Sequence, residues 1–207
     1  MTDWCLIHFV SPKGNFDSTA IQRILRWAER NGWRSLVKGA VETELEESPP
    51  WREAHSSLVW NNAPATQTVD VYSYESSAEN VRVLGVDVSG YYFAGFFSQD
   101  TEKREMSGLF VDSLYRLLEH AIGEVRPSFG WGDAEANFPL AETGDPKIIG
   151  EDEVFAMSRK RINKPWLLYL GPLLIKKLGT KRVQQLKAAR RKTVAGGVLV
   201  LSDESPF

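Results

Sequence analysis

Apolar positions along this chain follow two rhythms, one of strands and one of helices. Trp4–Val10 (WCLIHFV) is a short apolar run ending at Ser11-Pro12-Lys13-Gly14, the pattern of a buried first strand and a turn. Ile21, Ile24, Leu25 and Ala28 then fall at i, i+3, i+4 and i+7. That spacing predicts a helix capped by Asp17 or Ser18, running to about Asn31 and closed by Gly32. Ser35–Val41 reads as a strand and Glu42–Arg52 as an acidic loop broken by Pro49-Pro50. Ser57–Trp60 and Thr68–Glu75 predict further strands, the second alternating Val69 and Val71 with Asp70, Tyr72 and Tyr74. Val81–Val88 and Tyr91–Gln99 predict a hairpin about Ser89-Gly90.

The second half opens with the strongest periodicity. Met106, Phe110, Leu114, Leu117 and Ala121 form one wide stripe, which predicts a helix over Lys103–Ile122 ending at Gly123. Ser128–Trp131 reads as a strand, and the polar stretch through Pro139, Asp145-Pro146 and Gly150 as a long loop. Trp166–Leu170 predicts a short turn, because Gly171-Pro172 must interrupt any helix started at Pro165. A helix over Pro172–Leu178, a basic helix from Thr180 to about Lys192 and a last strand over Val198–Leu201 complete the order. The pattern predicts one α+β domain over residues 1–207, a mainly antiparallel β-sheet with helices packed on one face.

Composition changes the picture little, but charge changes it substantially. The 207 residues carry 43% hydrophobic and 25% charged side chains, ordinary globular usage. Cys5 is the only cysteine, which excludes an internal disulfide framework and a multi-cysteine zinc site. The uncharged runs Val88–Gln99 and Pro165–Ile175 are far short of the roughly 20 apolar residues of a bilayer span. With no secretory pattern at the start, the expectation is a soluble, cytoplasmic protein without membrane partners. The net charge of −2 hides a segregation: residues 1–153 hold 13 Lys and Arg against 25 Asp and Glu, whereas residues 154–202 hold 12 Lys and Arg and no acid. The basic part, with Lys176, Lys177, Lys181, Arg182, Lys187, Arg190, Arg191 and Lys192, suits nucleic acid or an acidic partner. Packing against the acidic body of its own chain, or plain solvation of a helix face, is the more common meaning of such a segment.

Motifs for chemistry are scarce. His8, His55 and His120 lie too far apart in sequence for a paired-histidine zinc motif. His8, in an apolar strand, reads as a core histidine, His120 as the edge of an amphipathic helix, and Cys5 as a small buried hydrophobe. The GxSxG, GxxxxGK[ST] and GxGxxG patterns are absent. Asp133 with Asp145-Pro146-Lys147 echoes the acid…acid-x-lysine arrangement of some metal-dependent nucleases, but the proline and the turn-like setting argue against it. No catalytic residue, cofactor or metal is expected. Phe129-Gly130-Trp131-Gly132-Asp133 is more unusual: glycine permits close approach, and Trp is a favoured interface anchor. Core packing of Phe129 and Trp131 is the competing explanation.

Three segments carry a resemblance. Arg126–Glu135 (RPSFGWGDAE), Trp166–Gly179 (WLLYLGPLLIKKLG) and Gly196–Phe207 (GGVLVLSDESPF), in this order, resemble the immunity-protein families of polymorphic-toxin and type VI secretion systems. The resemblance implies an α+β protein without catalysis that binds and occludes a cognate toxin or effector domain. The expected contact surface runs over the acidic Glu42–Trp51 stretch with Trp51, Tyr72, Tyr74, Trp131, Asp133 and Glu135. A nucleic-acid or acidic-partner module using the basic segment is the alternative, and an enzyme with an unrecognised carboxylate site a further one.

Overall fold

The computed structural model describes residues 4–12, 16, 19–36, 54–63, 68–76, 81–134, 151–159, 165–203 and 205–206. Among the described residues, nine strands form one sheet: β1 (Trp4–Pro12), β2 (Trp33–Ser35), β3 (Ala54–Trp60), β4 (Val69–Ser76), β5 (Val81–Ser89), β6 (Phe129–Ala134), β7 (Leu167–Leu170), β8 (Arg190–Val194) and β9 (Gly197–Leu201). Their order is β2-β3-β4-β5-β1-β6-β7-β9-β8, every neighbouring pair antiparallel. The expected α+β class and mainly antiparallel sheet are therefore present.

β1 sits at the centre, hydrogen-bonded to β5 on one side and β6 on the other. Its unbroken apolar run follows from burial on both faces. Cys5, Ile7 and Phe9 point into one core, which holds Ile21, Ile24 and Ala28 of α1 (Ala20–Arg30) and Phe110, Leu114 and Leu117 of α2 (Thr101–Val125). Leu6 and Val10 point into the other, with Val154 of α3 (Glu151–Arg159), Leu174 of α4 (Pro172–Leu178) and Val183 of α5 (Thr180–Gln184). The helices are thus divided between the two faces of the sheet rather than packed on one.

Several local expectations need correction. Tyr91–Gln99 is not a strand: Gly90–Phe97 forms a 3-10 helix. The reason is topological, because β5 already pairs with β4 and β1 and has no free edge to offer a hairpin partner. Leu167–Leu170 is a strand between β6 and β9 rather than a turn, its four residues all buried. A short apolar run reads equally as helix or strand until its neighbours are known. The basic helix stops at Gln184, and Arg190–Val194 is strand β8 instead. Ala195 and Gly196, both at positive φ (50° and 78°), make the two-residue turn that folds β8 back on β9. Helix α2 runs through Gly123 to Val125, and Arg126 in the left-handed region (φ 43°) ends it. Residues 37–53 and 135–150, with the predicted acidic and polar loops, lie outside the described residues.

Candidate functional site

The residues expected at the contact surface divide. Trp51 and Glu135 lie outside the described residues. Tyr72, Tyr74 and Trp131 are buried, which removes them from the surface that the expectation required. The pleat is the physical reason: Tyr72, Tyr74 and Trp131 share the second core with Leu6 and Val10. Asp133, opposite Leu6 on β1, is half-buried.

These aromatics surround His8, itself fully buried. Tyr72 donates its hydroxyl proton to Asp87 Oδ1 at 3.0 Å, so its oxygen accepts from His8 Nε2 at 3.1 Å. Tyr74 Oη lies 3.5 Å from Nδ1, and the tautomer with its proton on Nε2 suits both contacts. Trp131 meets the imidazole edge-on, ring centroids 5.4 Å apart. His8 is the expected core histidine, but with tyrosine hydroxyls as partners. Cys5 is buried as expected; burial first, then the nearby Asp133 and Asp87, push its thiol well above the ordinary range, so it is an inert thiol.

Half of the eight basic residues named above are tied down. Arg190 and Lys192 point from β8 toward α2, where Arg190 pairs with Asp112 and Lys192 with Glu119 at 2.6 Å. Arg191 faces the other way and donates to the carbonyl oxygens of Gln184 (3.0 Å) and Leu186. Lys177 pairs with Asp152 at 2.8 Å, which raises its pKa and lowers that of the carboxyl. Lys176, Lys181, Arg182 and Lys187 are exposed and make no ion pair among the described residues. β8 is a sheet edge, where charged side chains deter pairing with another chain. Lys177, Arg190, Arg191 and Lys192 therefore serve the fold of this chain, whereas the other four face solvent.

The surface feature that sequence reasoning missed is the 3-10 helix. Tyr92 stacks on Phe110 (centroids 3.8 Å, planes 5° apart), and Phe93 meets Phe110 and Trp166 edge-on. A Cβ on Gly95 would lie 2.2 Å from the Lys103 carbonyl oxygen, so only glycine lets this turn lie against α2. Ser107 Oγ donates to the Tyr92 carbonyl at 2.9 Å and pins the other side. With Tyr92 and Phe93 inward, Tyr91 and Phe97 stand out at 66% and 67% exposure, and Leu109 on α2 at 52%. A cavity of about 580 Å³ opens here between Trp60, Asn62, Tyr91, Tyr92, Met106 and Phe110, with Asp100 and Glu102 also in its lining. The signal was present as GYYFAGFF, too rich in aromatics for one buried face.

Among the described residues, no group of three or more His, Cys, Asp and Glu side chains could hold a metal ion, and no helix is long and apolar enough to cross a membrane. Asp145 and Lys147, the partners of Asp133 in the nuclease-like pattern, lie outside the described residues. No family model matches the chain, and no curated protein matches it. Among solved structures, the chain is similar to the Pseudomonas aeruginosa T6SS protein PA0821, with 12% identity and a TM-score of 0.45 over 100% of this chain. The matched part is 66% of that protein's length.

Proposed function

We propose that the protein is a non-enzymatic, immunity-type protein that binds a cognate toxin domain and occludes it. The observation that supports this reading is the aromatic ledge of Tyr91 and Phe97 beside the 580 Å³ cavity. Interface anchors are effective when large aromatics are presented on a base that does not rearrange. Here the base is the Tyr92–Phe110 stack and the Gly95 contact with α2. The cavity has room for one or two side chains of the partner. The resemblance of Arg126–Glu135, Trp166–Gly179 and Gly196–Phe207 to immunity proteins points the same way. So does the sealing of His8, Tyr72 and Asp87, a cluster with acid–base groups, away from solvent. The acidic balance of residues 1–153 would speed encounter with a basic toxin domain.

Affinity capture from a nuclease-treated lysate of the native host tests this reading, followed by expression of the captured protein alone and with this chain. The expected partner arrests growth alone and is harmless when co-expressed. Tyr91→Ala with Phe97→Ala should weaken its binding at least about tenfold, the loss expected for anchor aromatics. No protein partner in that lysate, with salt-released nucleic acid captured from a parallel lysate without nuclease, would overturn the reading and favour the exposed Lys176, Lys181, Arg182 and Lys187.

A further inference from the structure

The acidic balance of the first 153 residues conceals a local reversal on α1. Arg23, Arg26 and Arg30 recur at spacings of three and four, which sets them along one side of the helix over about 10 Å. Trp27 lies among them, its ring stacked on His120 of α2 with centroids 4.8 Å apart and planes 13° apart. On one side of this stack the three arginines and Glu124 line a cavity of about 290 Å³. On the other, Arg116, Glu119, Lys192 and the β8–β9 turn line one of about 610 Å³. Both cavities include Trp27 and His120, so they form one groove with the stacked rings as its saddle.

Among the described residues that line this groove, the charges do not cancel. Glu124 is engaged by Arg23 at 2.5 Å, with His120 Nε2 3.7 Å from its other oxygen. Glu119 is engaged by Lys192 at 2.6 Å. Arg26, Arg30 and Arg116 are exposed and make no ion pair among the described residues. Arg26 donates Nε to the Gln22 carbonyl at 3.3 Å, which leaves its two terminal nitrogens for a ligand. Three exposed guanidinium groups beside a half-buried indole suit carboxylates flanking an apolar side chain.

We propose that the α1–α2 groove is a docking surface for a short acidic segment of a protein partner, its carboxylates on Arg26, Arg30 and Arg116 and an apolar side chain on Trp27. A polynucleotide fits less well. Two glutamates line the groove, and the acidic body beyond it repels a phosphate backbone that continues past the three arginines. This surface is separate from the Tyr91 ledge and does not depend on the toxin-binding reading.

The test is fluorescence anisotropy with a labelled poly-glutamate peptide carrying one phenylalanine, at low and at physiological salt. Arg26→Glu with Arg30→Glu should weaken binding at least tenfold, and Trp27→Ala several-fold. Lys181→Glu with Arg182→Glu, and Tyr91→Ala with Phe97→Ala, should leave it unchanged, so failure here is distinct from failure of the toxin-binding reading. Circular dichroism checks that each variant is folded, and Arg26→Gln with Arg30→Gln replaces the charge reversal should that pair unfold. Equal binding of the glutamine version of the peptide, or no effect of the arginine changes, would overturn the proposal. Tighter binding of a thymidine oligonucleotide, lost in the same arginine variants, would overturn the choice of a protein partner.

Discussion

Gly85→Ala should be among the most damaging single-methyl additions in this chain. Gly85 stands in β5 between Tyr72 of β4 and His8 of β1, its register partners on either side. Tyr72 reaches across the missing side chain to place its hydroxyl on His8 and Asp87. A Cβ at Gly85 would lie 2.2 Å from Tyr72 Cζ and 2.7 Å from its hydroxyl oxygen, well inside ordinary contact. The ring is fully buried and cannot swing into solvent. Overpacking costs about 1–3 kcal/mol, and each buried hydrogen bond lost with its partner stranded costs about 1–3 kcal/mol. Lower backbone entropy of alanine returns about 0.5–1 kcal/mol. The net loss is about 3–5 kcal/mol, or roughly 6–20 °C in Tm for a chain of this length. Urea unfolding of four proteins tests it: the original, Gly85→Ala, Tyr72→Ala and the double variant. In the Tyr72→Ala background the glycine change should cost under about 1 kcal/mol, a coupling above about 2 kcal/mol. A loss below about 1 kcal/mol for Gly85→Ala alone, or equal losses in both backgrounds, would mean that Tyr72 does not fill the space at Gly85.

Other expectations follow from the same structure. Burial pushes Tyr92, Tyr115 and Tyr169 up to about 12, with Glu119 adding to the shift at Tyr115. Unfolded tyrosines release their protons near pH 10, so the native state holds more protons between about pH 10 and 12 and stability must fall as pH rises through that window. Ultraviolet titration should show these three ionising well above pH 10, and a single ionisation step near pH 10 for all tyrosines would contradict it. Asp100 caps α2 by accepting from the amides of Glu102 (2.9 Å) and Lys103 (3.4 Å). Asp100→Ala should cost about 1 kcal/mol in denaturant unfolding, whereas Asp100→Asn should restore most of it.

What was legible in the sequence depended on how far each residue's partners lie along the chain. Helix α1 and helix α2 carry their periodicity locally, and β1 announces a strand buried on both faces by an unbroken apolar run. Arg190–Val194 did not, because Arg190, Arg191 and Lys192 favour helix intrinsically, follow the helix formers of 184–189, and become a strand only by pairing with β9. The Tyr91–Gln99 hairpin failed for the same reason, since nothing local reveals that β1 and β4 occupy both edges of β5. Tyr72, Tyr74 and Trp131 looked like contact residues because polar-tipped aromatics beside Asp70 and Asp133 read as surface. Their actual neighbour, His8, is more than sixty residues away from each tyrosine. Arg23, Arg26 and Arg30 were visible as a stripe, but the net acidity of residues 1–153 masked what they add up to.

Occlusion is tested most directly by titrating the captured toxin domain's activity with this protein. An occluding partner acts by mass, so activity should fall linearly and reach its floor at one equivalent, with Tyr91→Ala and Phe97→Ala shifting the curve to weaker inhibition. Full activity at saturation would contradict occlusion. Inactivation by a small fraction of an equivalent, progressing with time, would mean that the protein turns over and is an enzyme.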